Sequence, residues 1–243
     1  MSSFSKIEAT AITYFQGLLG IARVGLDQEI LTKHASDETE DLSFPPELVL
    51  FVHTAEEISN VLRYCNERTI PVTVRGGGTG LSGGALAIHG GVVLNMQGFN
   101  KILHIDEQNL QVVVEPGVIT EVLQNAVKEK GLFYPPDPSS KGTCFIGGNV
   151  SENSGGPRAV KYGVVKDYVL NLEVVLANGD IIWTGANVLK NATGFNLTQL
   201  MVGSEGLLGV ITKIVLKLLP YPDKNLLMLV PFPSAELACE AVA

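Results

Sequence analysis

Val74-Arg75-Gly76-Gly77-Gly78-Thr79-Gly80-Leu81-Ser82-Gly83-Gly84 is the stretch whose reading decides the fold. Six of its eleven residues are glycine, and little in it can fill a core. Glycine loses more conformational freedom on folding than any other residue, so such a run marks a sharp turn or a close approach. Successive N–H groups on such a loop converge on an anion, and a phosphate or pyrophosphate is the expected one. The loop lies between two apolar runs, Pro71-Val72-Thr73-Val74 and Gly91-Val92-Val93-Leu94-Asn95, both of which read as short buried strands.

A strand-to-strand setting excludes two common phosphate motifs. A P-loop ends in Gly-Lys-Ser/Thr, which is missing here. Gly78-Thr79-Gly80-Leu81-Ser82-Gly83 matches G-x-G-x-x-G by letters, but a Rossmann loop opens directly into a helix. Residues 81–88 are too few and too rich in glycine to open one. A flexible surface loop with no ligand is the competing reading of this segment alone.

The 243 residues, 46% of them hydrophobic, suffice for one or two domains with a substantial core. A net charge of −8 and the lack of a basic run exclude a nucleic-acid-binding surface. Cys65, Cys144 and Cys239 are far apart and lack metal-site spacing, so they read as reduced thiols of a cytoplasmic protein. The first ten residues carry no apolar signal core, and no run approaches the ~20 apolar residues that span a bilayer. Peripheral attachment to a membrane stays open.

Residues 4–20 show helical spacing, with Gly20 as a stop; residues 32–44 are polar and read as a loop. Residues 47–52 form a strand. Thr54-Ala55-Glu56-Glu57 fits a capping box, opening a helix to about Arg68 with Ile58, Val61, Leu62 and Cys65 inward. Residues 102–105 and 110–114 make a hairpin, and residues 118–130 make a helix closed by Gly131. Ala177-Asn178-Gly179 turns a second hairpin, and residues 207–219 form a long strand. This mixture predicts an α+β fold with mixed sheets. Residues 226–232 read as a further strand and residues 234–243 as the opening of an amphipathic helix. That pattern suggests a second domain, with the chain either truncated or completed by another subunit. The expected divisions are a lead-in over 1–44, subdomains over 45–105 and 106–222, and the start of a cap domain over 223–243.

Three further segments carry chemistry. Gly147-Gly148-Asn149-Val150-Ser151-Glu152-Asn153-Ser154-Gly155-Gly156-Pro157-Arg158 combines small residues with amides and hydroxyls, suited to a long polar ligand. Tyr134-Pro135-Pro136-Asp137-Pro138 reads as a rigid wall able to face a ring. Gly203-Ser204-Glu205-Gly206 leads into the strand containing Ile211. Singly, each reads equally well as a tight turn. Together they suit a dinucleotide bearing a large ring system.

In this order the four motifs closely resemble the FAD-binding half of the vanillyl-alcohol oxidase/p-cresol methylhydroxylase (PCMH) flavoproteins, over residues 20–240. Within that group they are most similar to the D-2-hydroxyacid dehydrogenase branch, which includes glycolate oxidase, D-lactate dehydrogenase and D-2-hydroxyglutarate dehydrogenase. The resemblance implies a PCMH-type fold of two α/β subdomains. It implies that Arg75, Gly76, Gly77, Gly78, Thr79, Gly80 and Leu81 wrap the FAD pyrophosphate, with Ser82, Gly83 and Gly84 continuing along the cofactor. Pro136, Asp137 and Pro138 would lie near the isoalloxazine. Gly147, Gly148, Asn149, Ser151, Asn153, Gly155 and Gly156 would contact the flavin and ribityl chain, with Tyr162 and Gly163 extending that wall. Glu205, Gly206 and Ile211 would sit by the adenosine. Phe195 and Asn196 depart from the Gly-Tyr-Asp-Leu pattern of the family, removing a hydroxyl or carboxylate there.

Some members tether FAD through a histidine in the first loop. Here that region carries Thr79, His89 reads as a strand-edge residue and Cys144 as a packed thiol, so noncovalent FAD is expected. His34, His53 and His104 read as structural or surface residues. In the hydroxyacid branch the substrate, metal and catalytic residues lie in the C-terminal half, so no catalytic residue and no metal ligand is assigned here. The resemblance implies a D-2-hydroxy acid losing hydride to flavin, with the electron acceptor open. A noncatalytic FAD-binding subunit needing a partner chain is the alternative. An NADPH-using cell-wall precursor reductase is a third, disfavoured by the Pro-Asp-Pro-Ser and Gly-Gly-Pro-Arg-Ala-Val-Lys-Tyr-Gly segments.

Overall fold

A computed structural model describes residues 4–224 and 226–242. Helical spacing builds α1 (Ala9–Leu19), whose Phe15 and Leu19 are buried. It starts later than the pattern suggests, because Ile7 N–H donates to Glu47 Oε2 and holds the lead-in extended. A short strand β1 (Val24–Gly25) and a helix α2 (Gln28–Lys33) follow. Asp27 caps α2, accepting the Ile30 N–H at 3.0 Å.

The apolar run β2 (Leu48–Phe51) leads into α3 (Ala55–Glu67), then β3 (Val72–Arg75) and, after the glycine loop, β4 (Val92–Asn95). Thr54 Oγ1 accepts the Glu57 N–H at 3.2 Å, which is half of a capping box. The Glu57 carboxylate accepts the His53 N–H and pairs with Arg23 at 2.7 Å instead of closing the other half. Ile58, Val61, Leu62 and Cys65 are buried at i, i+3, i+4, i+7 spacing. The sheet order is β1-β2-β4-β3, with β2, β4 and β3 parallel. Its central strands are apolar on both faces because both are covered. Leu48, Leu50 and Leu94 meet α1 and α3, while Val49 and Val93 meet Ala87 on the other side.

The second sheet is antiparallel. β5 (Ile102–Asp106) and β6 (Gln111–Val114) form the first expected hairpin. Then come α4 (Thr120–Lys128), β7 (Leu132–Phe133), α5 (Ile146–Glu152) and α6 (Ala159–Tyr162). β8 (Val169–Val175) and β9 (Ile181–Trp183) form the second hairpin, followed by α7 (Leu197–Met201), β10 (Val210–Lys217) and β11 (Leu219–Pro220). The order is β5-β6-β10-β8-β9. Leu123 and Val127 of α4 and Ile146 and Val150 of α5 bury against Val112, Leu172, Ile214 and Leu216. Each fully buried side chain of this size contributes about 1.5–3 kcal/mol.

Two boundaries differ from the sequence expectation. β1, in the presumed lead-in, is a strand of the first sheet, and β5, placed in the first subdomain, hydrogen-bonds in the second sheet. Residues 226–232 form no strand, since among the described residues no neighbour supplies the hydrogen-bond ladder, and Leu226, Leu227 and Leu229 are exposed. The helix expected after them is α8 (Ala235–Glu240), capped by Ser234. No helix among the described residues is long and apolar enough to cross a membrane.

Candidate functional site

β2, β3 and β4 end side by side, at Phe51, Arg75 and Asn95. Outside the carboxyl ends of parallel strands is where open sheets of this kind bind ligands. The glycine loop leaves β3 at this edge. Over residues 76–82 no backbone N–H donates to an acceptor among the described residues. A run of unpaired amides on one loop is a ready site for anion oxygens.

The loop is braced from outside. Arg75 is 9% exposed, and its Nη2 donates to the Ser36 carbonyl at 2.7 Å. Gly78 has φ +69, and a Cβ there would collide with the Arg75 guanidinium. The cation therefore lies against the loop at Gly78, tied to the 36–39 segment. At the far end Gly83 N–H donates to Thr39 Oγ1 at 2.9 Å, and Ser82 Oγ donates to Glu152 Oε2 at 3.2 Å.

The N-terminal end of α5 faces the loop. The Phe145 ring lies 3.7 Å from the Cβ positions of Gly76 and Gly77, and the unpaired Gly148 nitrogen lies 4.0 Å from that of Gly76. Between loop and helix is a cleft of about 140 Å³ that opens to solvent at its mouth. Gly76, Gly77, Gly78, Thr79, Gly80, Gly84, Gly147, Gly148, Asn149, Ser151, Glu205, Gly206 and Ile211 line it, all singled out from sequence.

A family model described as an FAD binding domain matches residues 46–185. The chain belongs to this FAD-binding family. It is 47% identical over 210 residues to the glycolate oxidase subunit GlcD of Bacillus subtilis, covering 86% of this chain and 45% of that protein. It is 44% identical over 191 residues to a D-lactate dehydrogenase of Anaerostipes hadrus, covering 79% and 40%. Substrate-bound p-cresol methylhydroxylase superposes with a TM-score of 0.78 at 26% identity, over 88% of this chain and 44% of that one. The fold is thus PCMH-type, and the chain spans less than half the length of these relatives.

The cleft of the FAD-binding domain fits its cofactor on geometric grounds. Gly80 and Gly148 line it, yet a Cβ at either would meet nothing within 4 Å, and neither has a positive φ. Packing and backbone conformation leave both positions free to carry a side chain, so the space beside them is open to a ligand. Unpaired amides on one wall and the hydroxyls of Thr79, Ser151 and Ser154 nearby suit a pyrophosphate with polyol chains.

Other residues singled out from sequence lie elsewhere. Arg75 is tied to Ser36, Leu81 projects into solvent, and Ser82 and Gly83 anchor the loop. Pro136 is buried, with its carbonyl accepting from Gln124, and Asp137 pairs with Lys141 and Arg158. Pro138 is absent from the cleft wall; Ser140 is the member of that segment that reaches it. Asn153 closes α5 in the left-handed conformation and accepts the Lys166 N–H. Gly156 lets the Asp137 backbone approach and Gly163 lets Asp167 approach, both at positive φ, so packing within the protein explains these glycines; Gly155 faces Val164 at ordinary contact distance. Tyr162 stacks edge-on with Phe133, away from the cleft. His89 is exposed in a turn against Phe4 instead of at a strand edge.

Sequence reading missed Ala85, Met96, Pro116 and Phe145 on the cleft wall, and gave no individual role to Val74, Ser140, Glu152, Ser154 and Gly209, which lie in or beside the segments it singled out. Met96 directly follows β4 and Phe145 precedes α5, so placing both at element ends would have found them. Cys144 also reaches the wall; its buried thiol contacts Thr120 Oγ1 at 3.2 Å, as a packed residue does. His34 is buried between the Ile30 carbonyl and Asn95, and burial lowers its pKa, assisted by Arg75 and Lys33 against the hydrogen bond to Ile30.

Proposed function

We propose that this chain is the FAD-holding portion of an oxidoreductase that oxidises a D-2-hydroxy acid of the glycolate, D-lactate or D-2-hydroxyglutarate type. The observation that carries the reading is the braced run of unpaired amides at 76–82, facing open space at Gly80 and Gly148, in a chain similar to such enzymes. Bound FAD supplies the hydride acceptor for such chemistry.

In this reading the amides of residues 76–82 take the pyrophosphate, while Gly147, Gly148, Asn149 and Ser151 line the path of the ribityl chain and flavin. Glu205, Gly206 and Ile211 flank the adenosine. The short side chains let the backbone approach the cofactor and exclude water beside it. FAD is held without a covalent bond: acid precipitation releases the yellow chromophore, and colour remaining with the pellet would refute this. The three free thiols fit a cytoplasmic setting.

Anaerobic mixing of the FAD-loaded chain with D- and L-2-hydroxy acids tests the activity. Bleaching by a D-acid alone supports it. Bound FAD bleached by no acid favours a second reading, an FAD-binding subunit that works with a partner chain; the chain's span of less than half of its relatives is the observation behind that alternative.

A further inference from the structure

Two carboxylates share the cleft with the amide cradle. Glu152 closes the last turn of α5, and Glu205 sits in the turn before β10 with φ +52. A Cβ on Gly84 would lie 3.2 Å from Glu152 Oε1 and 3.7 Å from Glu205 Oε2, so those oxygens are within about 7 Å of each other. Neither carboxylate forms an ion pair among the described residues. Glu152 also sits at the carbonyl end of a helix, where negative charge is disfavoured.

The surroundings of Glu152 divide by element. From the glycine loop, Ser82 Oγ donates to it, and the buried Arg75 cation at the base of that loop is engaged with Ser36. From the 34–42 segment comes the charge of Asp37, and from the turn before β10 that of Glu205. Glu152 and Glu205 are both exposed at the rim of the cleft; partial desolvation of the Glu152 carboxyl, then the charge of Glu205, lift it above the usual carboxylate range, against screening by solvent, while the Ser82 hydroxyl opposes this and Asp37 adds to it.

We propose that FAD binding is coupled to uptake of one proton by Glu152. The inference rests on the FAD reading above. The pyrophosphate brings two further negative charges into a cleft that already holds two carboxylates. Like charges nearby favour the neutral form of a carboxyl. A proton moves from solvent to Glu152, the local charge rises by one unit, and the neutral acid becomes a hydrogen-bond donor as well as an acceptor. By linkage, FAD affinity rises as pH falls, by at most tenfold per pH unit between the pKa values of the free and loaded forms.

Titration calorimetry of the full-length apoprotein with FAD, in buffers of different ionisation enthalpy between about pH 5 and pH 8, counts the proton directly. The wild type takes up a substantial fraction of one proton at the acidic end. Glu152→Gln loses that uptake, loses the pH slope and binds more tightly than wild type at the alkaline end. Asp37→Asn retains the uptake. Unchanged uptake in Glu152→Gln, or uptake lost only in Glu205→Gln, would overturn the assignment. A failure to bind FAD at any pH would instead refute the FAD reading itself, so the two failures are distinguishable.

Discussion

Replacing Gly148 by alanine separates folding from cofactor binding. Gly148 is the third residue of α5, has no positive φ, and a Cβ there meets no protein atom within 4 Å. Alanine inside a helix is favoured over glycine by about 1 kcal/mol, with a smaller gain near the end. The apoprotein is therefore stabilised by about 0.5–1 kcal/mol, raising its Tm by about 1–4 °C for a chain of this size. The same methyl group projects into the cleft. Overpacking a formed site costs about 1–3 kcal/mol, which weakens FAD binding about five- to 150-fold. Denaturant titration of the apoprotein and quenching of flavin fluorescence read the two effects separately. Gly147→Ala is the control: its Cβ would lie 2.5 Å from Pro116 Cβ, so it destabilises the apoprotein. Gly148→Ala with wild-type FAD affinity would refute the claim that this space belongs to the cofactor.

Gly78→Ala forces a side chain onto φ +69 and against the Arg75 guanidinium, and lowers stability by about 1–3 kcal/mol in a urea titration. Ellman's reagent at about pH 8 labels one thiol of the native chain and three after unfolding, because Cys239 is exposed, Cys144 is buried, and burial pushes the Cys65 thiol up to about 12 against the pull of Arg68; rapid labelling of a second native thiol would contradict the packing. Burial alone would raise the Glu57 carboxyl, but the Arg23 guanidinium and the His53 N–H hold it below its ordinary value. Its stabilisation is thus complete above the unfolded pKa and is lost as pH falls through the folded one. Glu57→Gln costs about 1–3 kcal/mol at pH 7, a difference that vanishes in acid.

Sequence periodicity located the elements whose partners are local or whose burial is continuous. The inward stripe of α3 and the apolar runs of β2 and β4 are of this kind, and so is the Asn-Gly hairpin between β8 and β9. α5 was hidden because Gly147 and Gly148 depress helix propensity; the helix exists because Ile146 and Val150 bury in the second core. Glycine-rich segments announced close approach without saying to what. Gly80 and Gly148 face open cleft, whereas Gly155, Gly156 and Gly163 face the protein's own chain. The prolines announced rigidity without direction, and Pro136 turned inward. Residues 226–232 had the composition of a strand, but a strand is completed only by a neighbour.

We propose that the amides of residues 76–82 hold the FAD pyrophosphate in the cleft between the glycine loop and α5. Amide-resolved NMR of the labelled chain titrated with FAD tests it most directly. The account predicts saturable shifts concentrated at Gly76, Gly77, Gly78, Thr79, Gly80 and Gly148, with the exposed segment 226–232 unmoved. FAD that binds while these amides stay in place, or that shifts residues outside the cleft instead, would contradict it.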